Sequence, residues 1–415
     1  MNIAFVSFEY PPDTGVGGIG TYVRQVSNLL ASRGHQVEVF TSSPKRENTE
    51  SVNSLKIHRI LCADRGQFKF KVLRIFCERH DAVKFDILES PEFQAEGLQI
   101  HERYPSLPLI VKLHTPLFFV NELNKSTDFL FKHALKTVCQ QARFILGGIR
   151  RGKIAKPYWA YKKENDPEYK IASVATEIHT PSIDLGNIVS EKWGINKAKI
   201  FNVPYPYQPS ETLLNIEPGT GTDRITFLGR IEVRKGIINL IKALPIVFKK
   251  RPNIKFRFVG SSIFSPEYGD MKSYVKNKLR GFANRLEFLE VQLDEIPAMI
   301  ANTDIVVFPS IWENFPNVCL EAMSGARGIV ASKNGGMYDM LHKSEGGILI
   351  DPAKPIEIAE ALIKLIDDPI YRQRLGGNAR NKILTDYNAA TIGELMEFRY
   401  RQAIKKNENK IDITA

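Results

Sequence analysis

Residues Asp304–Asp339 read DIVVFPSIWENFPNVCLEAMSGARGIVASKNGGMYD, and this stretch decides the fold. Asp304–Phe308 is a short apolar run of the kind found in a buried parallel strand, and it breaks at Pro309-Ser310. A loop follows with Trp312, Glu313, Asn314 and Phe315. Pro316 stands where a helix can begin, because the N–H that proline lacks is one the first turn leaves unpaired. Asn317–Met323 continues as helix, Gly325 suits a left-handed cap, and Gly328–Ala331 reads as the next strand. Strand, loop and helix start together aim backbone N–H groups and a positive dipole end at one spot, which favours an anion.

Two carboxylates bracket that turn, Glu313 before the helix and Glu321 one turn inside it. A ligand with both phosphate and hydroxyls would use all of these groups, and a nucleotide sugar is one. The plain alternative is a solvated loop acid and a surface helix residue.

Working outward, the chain repeats the βα pattern on both sides. Asn2–Phe8 reads as the first strand, and Val23, Val26, Leu29 and Leu30 recur with helical period up to Gly34. Gln36–Thr41 is the second strand. Further strands are expected at Ile57–Leu61, Phe85–Glu89, Pro108–His114, Ile171–Ala175 and Lys199–Val203. Prolines 204, 206, 209 and 218, with Gly219 and Gly221, mark a linker. A second series follows: strands at Arg224–Leu228, Ile254–Val259, Arg285–Leu289 and Gly347–Ile350, with helices at Ile237–Lys249 and Met271–Ala283. Helices from Pro355, Ile370 and Ala389 close the chain. The pattern predicts an α/β molecule of two Rossmann-like, doubly wound parallel-sheet domains facing a central cleft. The boundaries are 1–205, a linker at 206–222, 223–388, and a terminal helix at 389–415.

Composition sets the class. The 415 residues are 43% hydrophobic and 25% charged, and no apolar run reaches membrane-spanning length. The N-terminus reads as a strand and not as a signal peptide. Four cysteines without paired spacing suit a reducing, cytoplasmic setting. The net charge is +11, and Leu123–Lys163 concentrates it, with ten Lys or Arg against one acid among interleaved aromatics. That segment suits peripheral contact with an anionic membrane at its inner face, a polyanionic acceptor or a solvated basic surface; it would be the sole support for nucleic acid, which is not expected as a partner.

The remaining motifs add chemistry. Gly15–Gly20 satisfies G-x-G-x-x-G, but six residues separate it from the strand, and the next strand ends without the acid a dinucleotide needs. A glycine loop approaching phosphate or sugar fits better, with Gly17 and Gly18 as contacts. Arg230 and Lys235, in GRIEVRKG between a strand and a helix, can neutralise a diphosphate leaving group. His114 ends a strand in VKLHTP and should face the cleft, unless it is a hydrogen-bonded core histidine. Glu92, in ESPEF, should face it too, and with Tyr10 it is a candidate acceptor contact. The usual metal-binding motifs are missing from the sequence.

PPDTGVGGIGTYV, KLHTP, FLGRIEVRKGIINLIKAL and SIWENFPNVCLEAMSGARGIVASKNGG together resemble the retaining GT-B glycosyltransferases of family 4. The resemblance implies that Glu313 lies by the donor sugar and Glu321 holds the ribose. Arg230 and Lys235 would grip the diphosphate with Phe315, Pro316, Asn317, Val318 and the Gly17-Gly18 loop, and His114 would contact the sugar near the reacting carbon. It implies a nucleotide-sugar donor, UDP before GDP, a saccharide or lipid-linked saccharide acceptor, no cofactor or metal, and a C-terminal helix crossing back to the first domain. The chain departs from the family pattern in having Thr115 after His114 and Asp339 where a glutamate is usual, and in its long 123–165 segment. A nucleotide-sugar epimerase and a non-catalytic sugar-nucleotide binder are the alternative readings.

Overall fold

The computed structural model describes residues 1–15, 17–127, 161–219 and 221–414. Strands β1 (Asn2–Val6), β2 (Gln36–Ser43), β3 (Asn48–Val52), β4 (Leu55–Leu61), β5 (Ile87–Pro91), β6 (Leu109–Lys112), β7 (Glu177–Thr180) and β8 (Ile200–Asn202) form the first sheet. Its order is β3-β4-β2-β1-β5-β6-β7-β8, and every pairing is parallel apart from β3 on β4. The order runs outward in both directions from β1 and β5, so the strand ends there open a crevice.

The second domain contains β9 (Arg224–Leu228), β10 (Lys255–Val259), a small hairpin of β11 (Phe264–Ser265) and β12 (Gly269–Asp270), β13 (Leu286–Leu289), β14 (Ile305–Phe308), β15 (Gly328–Ser332) and β16 (Ile348–Ile350). The order β13-β10-β9-β14-β15-β16 is parallel throughout. All four residues of β14 are buried, as expected for a strand covered by helices on both faces. The helix Ile237–Lys250 shows the matching pattern: Ile237, Leu240, Ile241, Leu244, Val247 and Phe248 fall on one stripe and are buried.

Four expectations from the sequence need correcting. Ile171–Ala175 is not a strand. Asp166 caps and Pro167 opens a helix, Pro167–Val174, whose Ile171 and Ala172 pack inward, and the strand comes after it at β7. β3 had no apolar run to announce it, being a polar antiparallel edge strand, NTESV. Pro316 is the N-cap and not the first helical residue, and Gly325 has φ −74 while Ala326 takes the left-handed conformation at φ +50. The helix from Met271 stops at Lys278, then tightens into a 3₁₀ turn over Arg280–Arg285.

The two connections between the domains run side by side, with Tyr207 N–H donating to the Tyr387 carbonyl at 2.9 Å. Beyond that crossing the helix Ala389–Thr414 lies back on the first domain. Its Ile392, Met396, Tyr400 and Ala403 share a core with Val26 and Leu30. Tyr400 donates to buried Glu89, and Arg399 and Lys406 pair with buried Glu177.

Candidate functional site

The sheets face each other across a cavity of about 410 Å³. The N-terminal side contributes Glu9, Gly17, Gly18, Phe93, His114 and Thr115; the C-terminal side contributes Arg230, Glu232, Arg234, Lys235 and residues 312–316. Most of these follow the carboxyl end of a parallel strand, where open α/β sheets place their ligands. Glu9 follows β1, Phe93 follows β5, His114 follows β6, and Arg230 follows β9.

The glycine loop wraps Glu9. Gly15 has φ +72, and a Cβ there would lie 2.5 Å from Glu9 Cβ, so only glycine fits. Gly17 caps the helix Gly18–Ser32, and Gly18 has open space in front of it. Backbone N–H groups at that helix start therefore meet the cavity.

His114 is held from every side. Its backbone N–H donates to both oxygens of Glu92 at 2.8 and 3.0 Å, and Thr115 N–H donates to Glu92 at 2.8 Å. Tyr205 O–H meets the ring Nδ1 at 2.7 Å, and Tyr22 packs against the ring edge at 5.3 Å. Nε2 is buried without a hydrogen-bond partner among the described residues. Burial, and then the Lys112 ammonium, push the imidazole down to about 3, so it is neutral at physiological pH. Were Tyr205 to donate to Nδ1, the ring proton would sit on Nε2, where a bound hydroxyl could take it as a hydrogen bond.

Glu92 itself does not reach the cavity. It is fully buried and works one layer below as the anchor of the His114-Thr115 turn; burial and the neighbouring Glu168 carboxyl push it up to about 8. This corrects its expected place on the cleft wall. Tyr10 is corrected as well: it is 3% exposed in the core, with the Arg59 guanidinium 5.6 Å from its ring centroid, and it does not line the cavity.

On the opposite wall Lys235 donates to the Glu313 carboxylate, and Arg230 pairs with Glu232 at 3.1 Å. Arg234, also on the wall, approaches the same Glu232 oxygen at 3.4 Å. Three cations thus meet one end of the cavity, each within reach of an acid that an incoming anion can replace. The loop carrying Glu313 runs against Gly335 and Gly336. Gly336 N–H donates to the Glu313 carbonyl at 2.9 Å, and a Cβ on Gly336 would lie 1.6 Å from the Asn314 carbonyl oxygen. The Gly-Gly pair in SKNGG is there to let the two backbones touch.

Phe315 and Pro316 line the cavity, and Phe315 packs its ring against Tyr205 and Tyr387. Asn317, Val318 and Glu321 lie behind them on the helix Asn317–Ser324, off the cavity wall itself. Glu321 carries a buried Oε2 with no partner among the described residues, and burial pushes its carboxyl up to about 7. A buried acceptor left unsatisfied costs stability unless something binds it. Residues 128–160 of the basic segment lie outside the described residues, so the membrane or acceptor contact expected of it does too.

Glu9, Asn314, Tyr205 and Arg234 were not singled out from sequence. Glu9 had a usable signal, its position at the end of the first strand. Asn314 and Tyr205 had none, since their partners lie 200 and 91 residues away.

Both halves of the chain match known families. Residues 16–207 match the family model described as Glycosyltransferase Family 4, and residues 215–382 match Glycosyl transferases group 1. An uncharacterized glycosyltransferase of Methanocaldococcus jannaschii is 24% identical over 409 residues, covering 95% of this chain and 96% of that protein. The glycogen synthase of Mycobacterium tuberculosis is 24% identical over 424 residues, covering 94% and 92%. Among solved structures, sucrose-phosphate synthase from Thermosynechococcus elongatus superposes with TM-score 0.69 at 19% identity, over 98% of this chain and 99% of that one. Anabaena HepE in complex with UDP gives 0.66 at 16%, over 97% and 100%. With two facing parallel-sheet domains and a family match in each, the protein belongs to the group 1, family 4 glycosyltransferases of GT-B fold.

Proposed function

We propose that the protein is a retaining hexosyltransferase that needs no metal and moves a sugar from a nucleoside diphosphate donor to a saccharide or lipid-linked saccharide acceptor. The observation that carries this is the convergence of Arg230, Arg234 and Lys235 with Glu313 at one end of a cleft whose other wall presents neutral His114. Cations placed there stabilise the charge that develops on a departing diphosphate, which is the work a divalent ion does elsewhere.

In this reading the diphosphate exchanges with Glu313 and Glu232 for Lys235 and Arg230. Glu321 takes the ribose diol where the nucleoside end of the donor reaches past the cavity wall, and the positive end of the helix that begins behind Pro316 points to the phosphates. The sugar–phosphate bond breaks, the acceptor hydroxyl attacks the same face of the sugar, and the departing phosphate takes the hydroxyl proton. Glu313, released from Lys235, holds sugar hydroxyls or offsets positive charge on the ring, and His114 Nε2–H holds a further hydroxyl. UDP is the preferred nucleotide, with GDP second. HepE has been solved with UDP-glucose, and a trehalose-6-phosphate enzyme of Escherichia coli with UDP-2-fluoro glucose. WaaG, of similar fold, is a glycosyltransferase involved in lipopolysaccharide biosynthesis; in this reading a lipid-linked acceptor is met by a cytoplasmic protein peripheral to the inner membrane face.

Calorimetric titration with UDP-, GDP- and ADP-sugars, with chelator present, tests the donor. NMR of the product's anomeric centre tests retention, and a product formed from donor alone would identify an epimerase. Glu313→Gln and Arg230→Ala are each expected to cut transfer by about 10²-fold, as loss of one stabilising group does in a preorganised site. Near-normal turnover in either would overturn the assignment.

A further inference from the structure

The helix Ile183–Trp193 belongs to the N-terminal domain, yet three consecutive residues at its start each bond the C-terminal domain, two of them the Glu313 loop and one the helix Gly336–Leu341. Ser182 Oγ donates to Asn314 Oδ1 at 2.8 Å, Ile183 N–H donates to Asp339 Oδ2 at 2.7 Å, and Asp184 accepts from Trp312 Nε1 at 2.6 Å. Asn314 also donates from Nδ2 to the His114 carbonyl. It is 8% exposed and directly follows Glu313.

We propose that Asn314 is a positioning residue that sets Glu313 opposite His114, by bonding the Glu313 loop to two separate turns of the other domain. The proposal rests on the reading of the cleft as the transfer site. A carboxamide is the side chain that fits, because it offers one donor to a carbonyl and one acceptor to a hydroxyl from the same terminal group. Aspartate would set a carboxylate against the His114 carbonyl; alanine would reach neither partner. The loop has no room to retreat, since Gly336 lies against the Asn314 carbonyl on its other side, and a Cβ on Gly336 would lie 3.0 Å from Ser182 Cβ as well. Asn314 therefore occupies the point where the loop carrying Glu313, the His114 turn and the helix start meet. Asp339, which replaces the glutamate usual in the family, makes the neighbouring bond to Ile183 N–H.

The test uses the full chain with Asn314→Ala, Asn314→Asp and Ser182→Ala. Small-angle scattering of the ligand-free proteins reads domain separation, and steady-state kinetics with the sugar nucleotide bound by wild type reads turnover. The expected result is a larger radius of gyration and a kcat lowered about tenfold or more, the cost of one or two lost hydrogen bonds. The donor KM should stay within about twofold, because Arg230, Lys235 and Glu321 are untouched. An unchanged radius of gyration, a kcat close to wild type, or a KM that rises in step with the loss of kcat would each overturn the proposal. Ser182 also caps its helix, accepting from Leu185 N–H. A lower melting temperature in Ser182→Ala alone is therefore expected, and the radius of gyration, not stability, decides. Should Asn314→Ala fail to fold, Asn314→Asp and Ser182→Ala carry the same test. If wild type binds no sugar nucleotide, the proposed function fails by that result, while scattering still decides whether Asn314 holds the two walls together.

Discussion

At the scale of single residues, Glu321 shows how a binding group is kept at a cost to the fold. Its Oε2 is buried with no partner among the described residues, and burial raises its folded pKa from the ordinary carboxylate range to about 7. An acid whose pKa is raised on folding adds no penalty below its unfolded value near 4.5. The penalty grows as pH climbs from there to about 7, and is constant above. Glu321→Gln keeps the shape and removes the charge, so its melting temperature should exceed wild type at pH 8 and converge with it near pH 4.5. The gain at pH 8 is about 1–2 kcal/mol, after the buried amide oxygen is allowed for. The same variant should bind nucleoside diphosphate about tenfold more weakly, because a charge-assisted bond becomes a neutral one. Calorimetry showing equal affinity would remove Glu321 from the ribose site. Sequence placed Glu313, His114, Arg230 and Lys235 well, since each stands just past a strand that opens on the cleft. It misplaced Glu92 and Tyr10 because a strand-end position does not say how deep a side chain lies. Glu92 turns under the His114 loop to collect the N–H groups of His114 and Thr115, a role that depends on β6 lying beside β5.

At the scale of elements, legibility followed burial. Strands covered on both faces, such as β14 and β15, have continuous apolar runs and were placed within a residue or two. The polar edge strand β3 had no such signal, and IASVA at 171–175 suggests a strand because its apolar content outweighs the Asp166-Pro167 helix start. The C-terminal helix was legible as a helix, but its docking bonds were not, being set by partners more than 200 residues away. Those bonds predict a pH dependence. Burial raises the Glu177 carboxyl, but hydrogen bonds from His179, Arg399 and Lys406 outweigh it and hold the group at about 2. A depressed carboxylate stabilises the fold fully above its unfolded value near 4.5, and the contribution is lost as pH falls through about 2. Wild type should therefore lose stability steeply between pH 4.5 and 2, with hydrogen exchange in 389–414 rising first. Arg399→Ala should already show raised exchange in that helix at pH 7. Exchange in the variant equal to wild type at pH 7 would show that Glu177 does not hold the helix.

At the scale of the molecule, the domain names hide a shared interior. One continuous core takes in β1 and β2, Val203 and Tyr205 at the end of the first domain, Tyr207 of the linker, Phe315 and Met323 of the donor half, and Met396 and Tyr400 of the terminal helix. The first domain is therefore completed by the last residues of the chain, and the cleft is closed behind by the paired crossing at Tyr207 and Tyr387. This architecture argues against folding of the first domain without the terminal helix. Removing residues 389–414 takes Tyr400 from Glu89, and Arg399 and Lys406 from Glu177, leaving buried carboxylates short of partners. Breaking one buried ion pair costs about 3–5 kcal/mol, against a total stability of about 5–15 kcal/mol for a typical domain. Exposure of Val26, Leu30 and their neighbours adds to that loss. The truncated chain 1–388 is thus expected to be poorly soluble and to lack the cooperative unfolding transition of the first domain in calorimetry. The second domain, whose other core is built from 225–375 alone, should still melt cooperatively. A truncated protein with both transitions at wild-type temperatures would mean that the terminal helix merely decorates the first domain, and that Glu89 and Glu177 are satisfied without it.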